Sequence, residues 1–128
     1  MLREARGINK LVLRAGKTDL RYGIKILASM LIFDYGFDLV KDGGLYLFSG
    51  SKRDTIKGLT YDEDGFLLLT KQLTSGSFLW PKDTADALEI SRESYQQPMD
   101  GYRIDGFLSR YEALKIGRGS KELLCINH

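Results

Sequence analysis

Apolar and polar positions change period several times along the chain, and each change marks an element. Residues 9–14, centred on Leu11, Val12 and Leu13, read as a short strand that Ala15, Gly16 and Lys17 interrupt. Thr18 or Asp19 then stands where a helix cap is expected. Leu20, Ile24, Leu27 and Leu31 recur at the spacing of one buried helical face, while Arg21 and Lys25 lie one turn apart on another. The helix is expected to end near Tyr35 and Gly36, and Asp42, Gly43 and Gly44 introduce a strand over 45–48.

Residues 55–73 read as a hairpin turning at Asp62-Glu63-Asp64-Gly65. A type I turn closed by a left-handed Gly65 makes a three-residue loop and pairs Asp62 with Phe66. In that register Tyr61 faces Leu67, Leu59 faces Leu69 and Lys57 faces Lys71, all on one side of the sheet. A two-residue loop would shift the register by one and separate the lysines. Thr74-Ser75-Gly76-Ser77 is a second turn, and Phe78-Leu79-Trp80-Pro81 a last short strand that the proline ends. Ser91 stands as the cap of a short helix through Tyr95, and Leu108, Tyr111 and Leu114 suggest another over 107–116. The expected fold is α+β: a mainly antiparallel sheet of four or five strands, a long helix after the first strand and short C-terminal helices.

With 128 residues, 43% hydrophobic and 28% charged, the chain suits one domain with a core of its own. No apolar run approaches a membrane span and residues 1–6 lack a secretory signal, so a cytoplasmic protein is expected. Cys125 and His128 are the only cysteine and the only histidine, which excludes an intramolecular disulfide and a Cys/His zinc site. Both sit in the last four residues, where fraying is expected.

The net charge of +2 conceals an asymmetry. Residues 1–57 hold 11 Lys/Arg against 6 Asp/Glu, and 58–128 hold 8 against 11, which gives +5 and −3. A basic half suggests an anionic partner, since clustered cations bind phosphates by releasing counterions. Lys52, Arg53, Lys57 and Lys71 are the candidate phosphate contacts at one end of the sheet, joined by Arg21 and Lys25 where the helix packs beside it. The blander reading is a solvated rim of long cations. Tyr61 and Trp80 are candidates for stacking on unpaired bases, against the simpler alternative of core packing.

Other motifs give way to ordinary explanations. Asp62, Glu63 and Asp64 are consecutive in a turn, point apart and fail the calcium-loop spacing. Gly16-Lys17-Thr18 resembles the end of a phosphate-binding loop, but Leu11 occupies the position of its first glycine. Asp19 and Asp54 with Lys57 would make a nuclease centre only if further carboxylates converged on a metal, and helix capping accounts for Asp19 without catalysis. No catalytic residue, metal, cofactor or small-molecule substrate is expected.

Thr18-Asp19-Leu20-Arg21-Tyr22-Gly23-Ile24, Leu45-Tyr46-Leu47-Phe48, Arg53-Asp54-Thr55-Ile56-Lys57, Asp64-Gly65-Phe66, Lys71-Gln72-Leu73 and Phe78-Leu79-Trp80-Pro81 follow one another in an order and spacing that carry a family likeness. Over roughly residues 10–101 the chain resembles the small accessory protein of insertion-sequence-66 type bacterial transposons. That family, often called TnpB, is unrelated to the RNA-guided nucleases sharing the name. The chain departs from the family pattern at Gly58, Glu63, Gln72 and Ser77, the last two replacing basic residues. Residues 102–128 form a variable tail outside the likeness. The resemblance implies a non-enzymatic accessory factor of transposition, acting beside a separate transposase, with DNA, the transposase or both as partners. A pure protein-interaction module and a metal-dependent nuclease are the alternatives.

Overall fold

The computed structural model describes residues 10–83, 112–114, 121 and 123–127. Strands β1 (Lys10–Lys17), β2 (Gly44–Ser49), β3 (Thr55–Asp62), β4 (Gly65–Gln72), β5 (Glu112–Leu114) and β6 (Leu123–Asn127) form one sheet in the order β4-β3-β2-β1-β6-β5. Helices α1 (Ile24–Tyr35) and α2 (Leu39–Asp42) connect β1 to β2. The class is α+β as expected, but the sheet is mixed. β1 and β2 run parallel at its centre, and the chain crosses between them through the helices. The antiparallel expectation fails there because the connection is long and carries helices, which returns the chain to the same end of the sheet as a parallel crossover does.

β2 is buried at all six positions, as a central strand with both faces covered must be. On one face Val12, Tyr46, Phe48, Leu59 and Leu123 pack with Leu27, Leu31 and Tyr35 of α1 and Leu39 of α2. Burying these side chains contributes about 1.5–3 kcal/mol each. Ile56, one residue out of phase with Leu59 and so on the opposite face, packs with Leu73, Phe78 and Trp80.

The helix begins later than its apolar spacing suggests. The Thr18 N–H still pairs with the Ser49 carbonyl at 2.7 Å, so the chain is extended there. Asp19 caps a turn instead, accepting from the Arg21 N–H at 3.0 Å, while the Tyr22 N–H reaches the Asp19 carbonyl at 3.1 Å. Gly23 is the N-cap, which leaves Leu20 and Arg21 outside a helix of 12 residues. Its end is where expected: Gly36, at φ 75°, closes α1 in the left-handed conformation.

β1 continues through the residues expected to break it. Leu13 pairs with Leu47 and Lys17 with Ser49, so Gly16, at φ 76°, forms a bulge rather than an end. The Gly16 N–H turns to the Pro81 carbonyl at 2.8 Å, and residues 78–81 form no strand of their own.

The hairpin has the two-residue loop. Asp62 pairs with Gly65, and Glu63 takes φ 52° while the Asp64 N–H bonds the Asp62 carbonyl, the geometry of a γ-turn. Lys57 therefore opposes Thr70 and Lys71 opposes Ile56. The pleat sends the two lysines to opposite faces, and the expected like-charge pair does not form.

Residues 112–114, within the span expected to be helical, are strand β5. The chain end also differs from the expected fray: β6 pairs Cys125 with Val12, and Leu123 and Leu124 are buried. The expected helix at 91–95 lies outside the described residues. No helix among the described residues is long and apolar enough to cross a membrane.

Candidate functional site

Parallel neighbours place their carboxyl ends side by side, and the loops leaving them bound a crevice. Here β1 and β2 open into residues 18–23 and 50–54. Two clefts flank the second loop. The larger, about 770 Å³, is lined by residues that include Lys17, Asp19, Arg21, Lys52 and Gln72. The smaller, about 400 Å³, is lined by residues that include Lys17, Arg53, Trp80 and Lys82. Among the described residues, their charged linings bring together Lys17, Arg21, Lys52, Arg53 and Lys82, with Asp19 as the carboxylate beside them.

The loop carrying Lys52 and Arg53 is fixed by its backbone. The Ser49 carbonyl accepts from Thr18, the Arg53 carbonyl from Phe78 at 2.7 Å and the Asp54 carbonyl from Leu73 at 2.8 Å. Gly50 holds the two loops at close range, since a Cβ there would lie 2.9 Å from Leu20 Cγ and 3.2 Å from the Thr18 carbonyl oxygen. Only glycine admits this approach without displacement.

Asp19 is already matched. Its Oδ2 accepts from Arg21 Nη2 at 2.7 Å, its Oδ1 from Nε at 3.0 Å and from the Arg21 N–H at 3.0 Å. The side-chain hydrogen bond to Arg21, helped by the backbone one, lowers the carboxyl pKa to about 2 and raises that of Arg21. The sign follows: the pair's contribution is complete above the ordinary value of 3.8 and is lost as pH falls toward about 2. The Arg21 side chain is 91% exposed, so water screens the pair and a phosphate can compete for the guanidinium.

Among the described residues Lys17, Lys52 and Arg53 make no ion pair with a carboxylate. Behind them, Lys121 Nζ donates to the Lys17 carbonyl and its stem passes 3.4 Å from the Cβ position of Gly16. Burial, and then the neighbouring Arg14 and Lys17, push the Lys121 pKa down. Arg14 donates to the Tyr35 and Thr18 hydroxyls at 3.2 and 2.8 Å. Cations crowd here, and among the described residues no carboxylate pairs with Arg14, Lys17 or Lys121, which favours an incoming anion.

Of the residues expected from sequence, Arg21, Lys52 and Arg53 meet at the clefts. Lys25, in the first turn of α1, lines neither cleft, nor do Lys57 and Lys71. Tyr61 sits at the other end of the hairpin, its ring 5.2 Å from that of Phe66. Trp80 borders the smaller cleft, but its indole N–H donates to the Arg14 carbonyl at 2.9 Å and its ring packs on the Ile56 cluster. Lys17 and Lys82 are the residues that sequence reasoning missed. The Gly16-Lys17 pair looked like a strand breaker, and the signal for Lys82, a cation directly after the Phe-Leu-Trp-Pro motif, has meaning only once Pro81 is known to bond Gly16. Gln72, where the resemblance has a basic residue, lies on the rim of the larger cleft. No group of three or more potential metal ligands occurs among the described residues.

Two proteins of Sinorhizobium fredii are similar to this chain. The uncharacterized protein y4hO is 34% identical over 76 residues, 59% of this chain and 65% of the relative. The uncharacterized protein y4jC is 28% identical over 98 residues, 74% of this chain and 80% of the relative. The chain thus spans just under two thirds of the first relative, at 65%. No solved structure matches it. The model of the family described as IS66 Orf2 like protein matches residues 9–107, most of the chain and all of the cleft-forming segments: the chain belongs to this family, which ties it to the transposition of IS66-type insertion sequences.

Proposed function

We propose that this chain is a non-catalytic, cytoplasmic accessory factor of insertion-sequence transposition that binds DNA through the basic clefts at the carboxyl ends of β1 and β2. The observation that carries this reading is the gathering, among the described residues, of Lys17, Arg21, Lys52, Arg53 and Lys82 around two adjoining clefts, where Asp19 is engaged by Arg21. Cations held on fixed backbone meet phosphates without the cost of ordering a loop, leaving only their side-chain entropy to be lost, and each phosphate neutralised releases condensed counterion. Family membership supports the transposition context and makes the element's own transposase the natural protein partner.

The carboxylates nearest to a nuclease centre are otherwise engaged. Asp19 binds Arg21, and Asp54 accepts from the Thr55 hydroxyl at 2.9 Å. Both engagements favour binding over hydrolysis.

Mobility shift of a labelled element end across a salt series tests the reading. Four or five phosphate contacts on duplex DNA give a slope of log affinity on log salt of about −4. A flat response, or no shift at high protein concentration, would remove DNA and leave the interaction module. In the same experiment with magnesium or manganese, the DNA is expected to remain intact.

A further inference from the structure

Helix α1 carries large apolar side chains on the side that faces away from the sheet. Leu27, Ala28, Leu31 and Tyr35 are buried, yet Ile26 is 53% exposed, Ile32 41% and Phe33 82%. Five of the six large hydrophobics exposed among the described residues, Tyr22, Ile26, Ile32, Phe33 and Val40, fall between positions 22 and 40. Only Lys25, Ser29 and Asp34 bring polar side chains to the helix apart from the Tyr35 hydroxyl. A helix apolar nearly all round is ordinarily buried all round, and a clustered exposed apolar patch marks a contact surface.

The charges of α1 indicate what covers it. The helix has no acidic residue in its first turn, no basic residue in its last, and no side-chain cap at Gly23. Its two charged residues stand the other way round, Lys25 near the positive N-terminal end of the macrodipole and Asp34 near the negative C-terminal end. Each is unfavourable for its own helix and favourable for an antiparallel neighbour.

We propose that α1 is the interface of a two-fold symmetric dimer, packed antiparallel against α1 of a second copy of this chain. An axis passing between Ser29 and Met30 brings Ile26 level with Phe33 of the second copy. Ser29 is exposed, one turn from both Ile26 and Phe33, and its small side chain permits close approach at the crossing. The same axis carries Asp34 to the uncapped N-terminus of the neighbouring helix and Lys25 to its C-terminus, so each of the four charges, unfavourable at its own helix end, is compensated by the neighbour's opposite end. One helix supplies hydrophobic cover and electrostatic complement together, as an isologous contact requires.

Sedimentation equilibrium of the full chain is expected to give twice the 14.5 kDa chain mass at micromolar concentration. Phe33→Asp, at an exposed position, should sediment as a monomer with unchanged far-ultraviolet circular dichroism. The double swap Lys25→Glu with Asp34→Lys improves each helix's own dipole and should still weaken the dimer about tenfold or more. Ser29→Cys in a Cys125→Ser background should form an intermolecular disulfide on oxidation. A wild-type chain that is monomeric at the highest attainable concentration, or a dimer that survives Phe33→Asp, overturns the proposal. So does a swap that leaves association unchanged, or a dimeric Ser29→Cys chain that fails to cross-link.

Discussion

Lys52 and Arg53 stand on a loop whose backbone is anchored through residues 18, 73 and 78, whereas Lys57 and Lys71 stand on a hairpin whose pleat sends them to opposite faces. The first pair is joined by Lys17 and Arg21, distant in sequence, because parallel β1 and β2 end side by side. The second pair is separated by a single residue of register. Convergence of charge is thus set by topology and turn geometry, and nearness in sequence is a poor guide to it.

The sharpest way to break this comparison is to remove the convergent cations. Lys17→Ala, Lys52→Ala and Arg53→Ala together should lower DNA affinity by about a hundredfold or more at moderate salt and flatten the salt slope by about three. Titration by fluorescence anisotropy reads both, and an unchanged slope would dissolve the distinction between the two regions. Next in size is Gly50→Ala, whose methyl would press on Leu20 and the Thr18 carbonyl. A loss of about 1–3 kcal/mol in denaturant unfolding is expected, together with weaker DNA binding as the loops part. Trp80→Phe removes the indole donor to the Arg14 carbonyl and should cost about 1 kcal/mol of stability with the salt slope intact. A large affinity loss at full stability would instead make Trp80 a stacking residue. The smallest effect belongs to the hairpin: Lys57→Ala with Lys71→Ala should change affinity by less than about twofold, since neither residue lines a cleft.

Some of this was legible in the chain. Asp62-Glu63-Asp64-Gly65 located the hairpin, and Gly36 located the end of α1, because both are local decisions made by a few turn-forming residues. The hairpin register was not legible, since it depends on Glu63 adopting a positive φ that its side chain does not advertise. The start of α1 was hidden for a different reason. Thr18 stays extended to bond Ser49, a partner 31 residues away, and no local propensity encodes that preference. Lys17 escaped notice on the same ground: Gly16 reads as a breaker in isolation and becomes a bulge only because Pro81 receives its N–H. Arg21, Lys52 and Arg53 were found by charge alone, and the parallel crossover that unites them with Lys17 is a long-range fact.

The close packing of Gly50 against Leu20 and Thr18 has a thermodynamic consequence. Loops locked to each other in the free protein have little disorder left to lose, so the heat-capacity change on binding should be small and nearly independent of salt. Calorimetry over a range of temperatures would then find association driven by the entropy of released ions, with no signature of coupled folding.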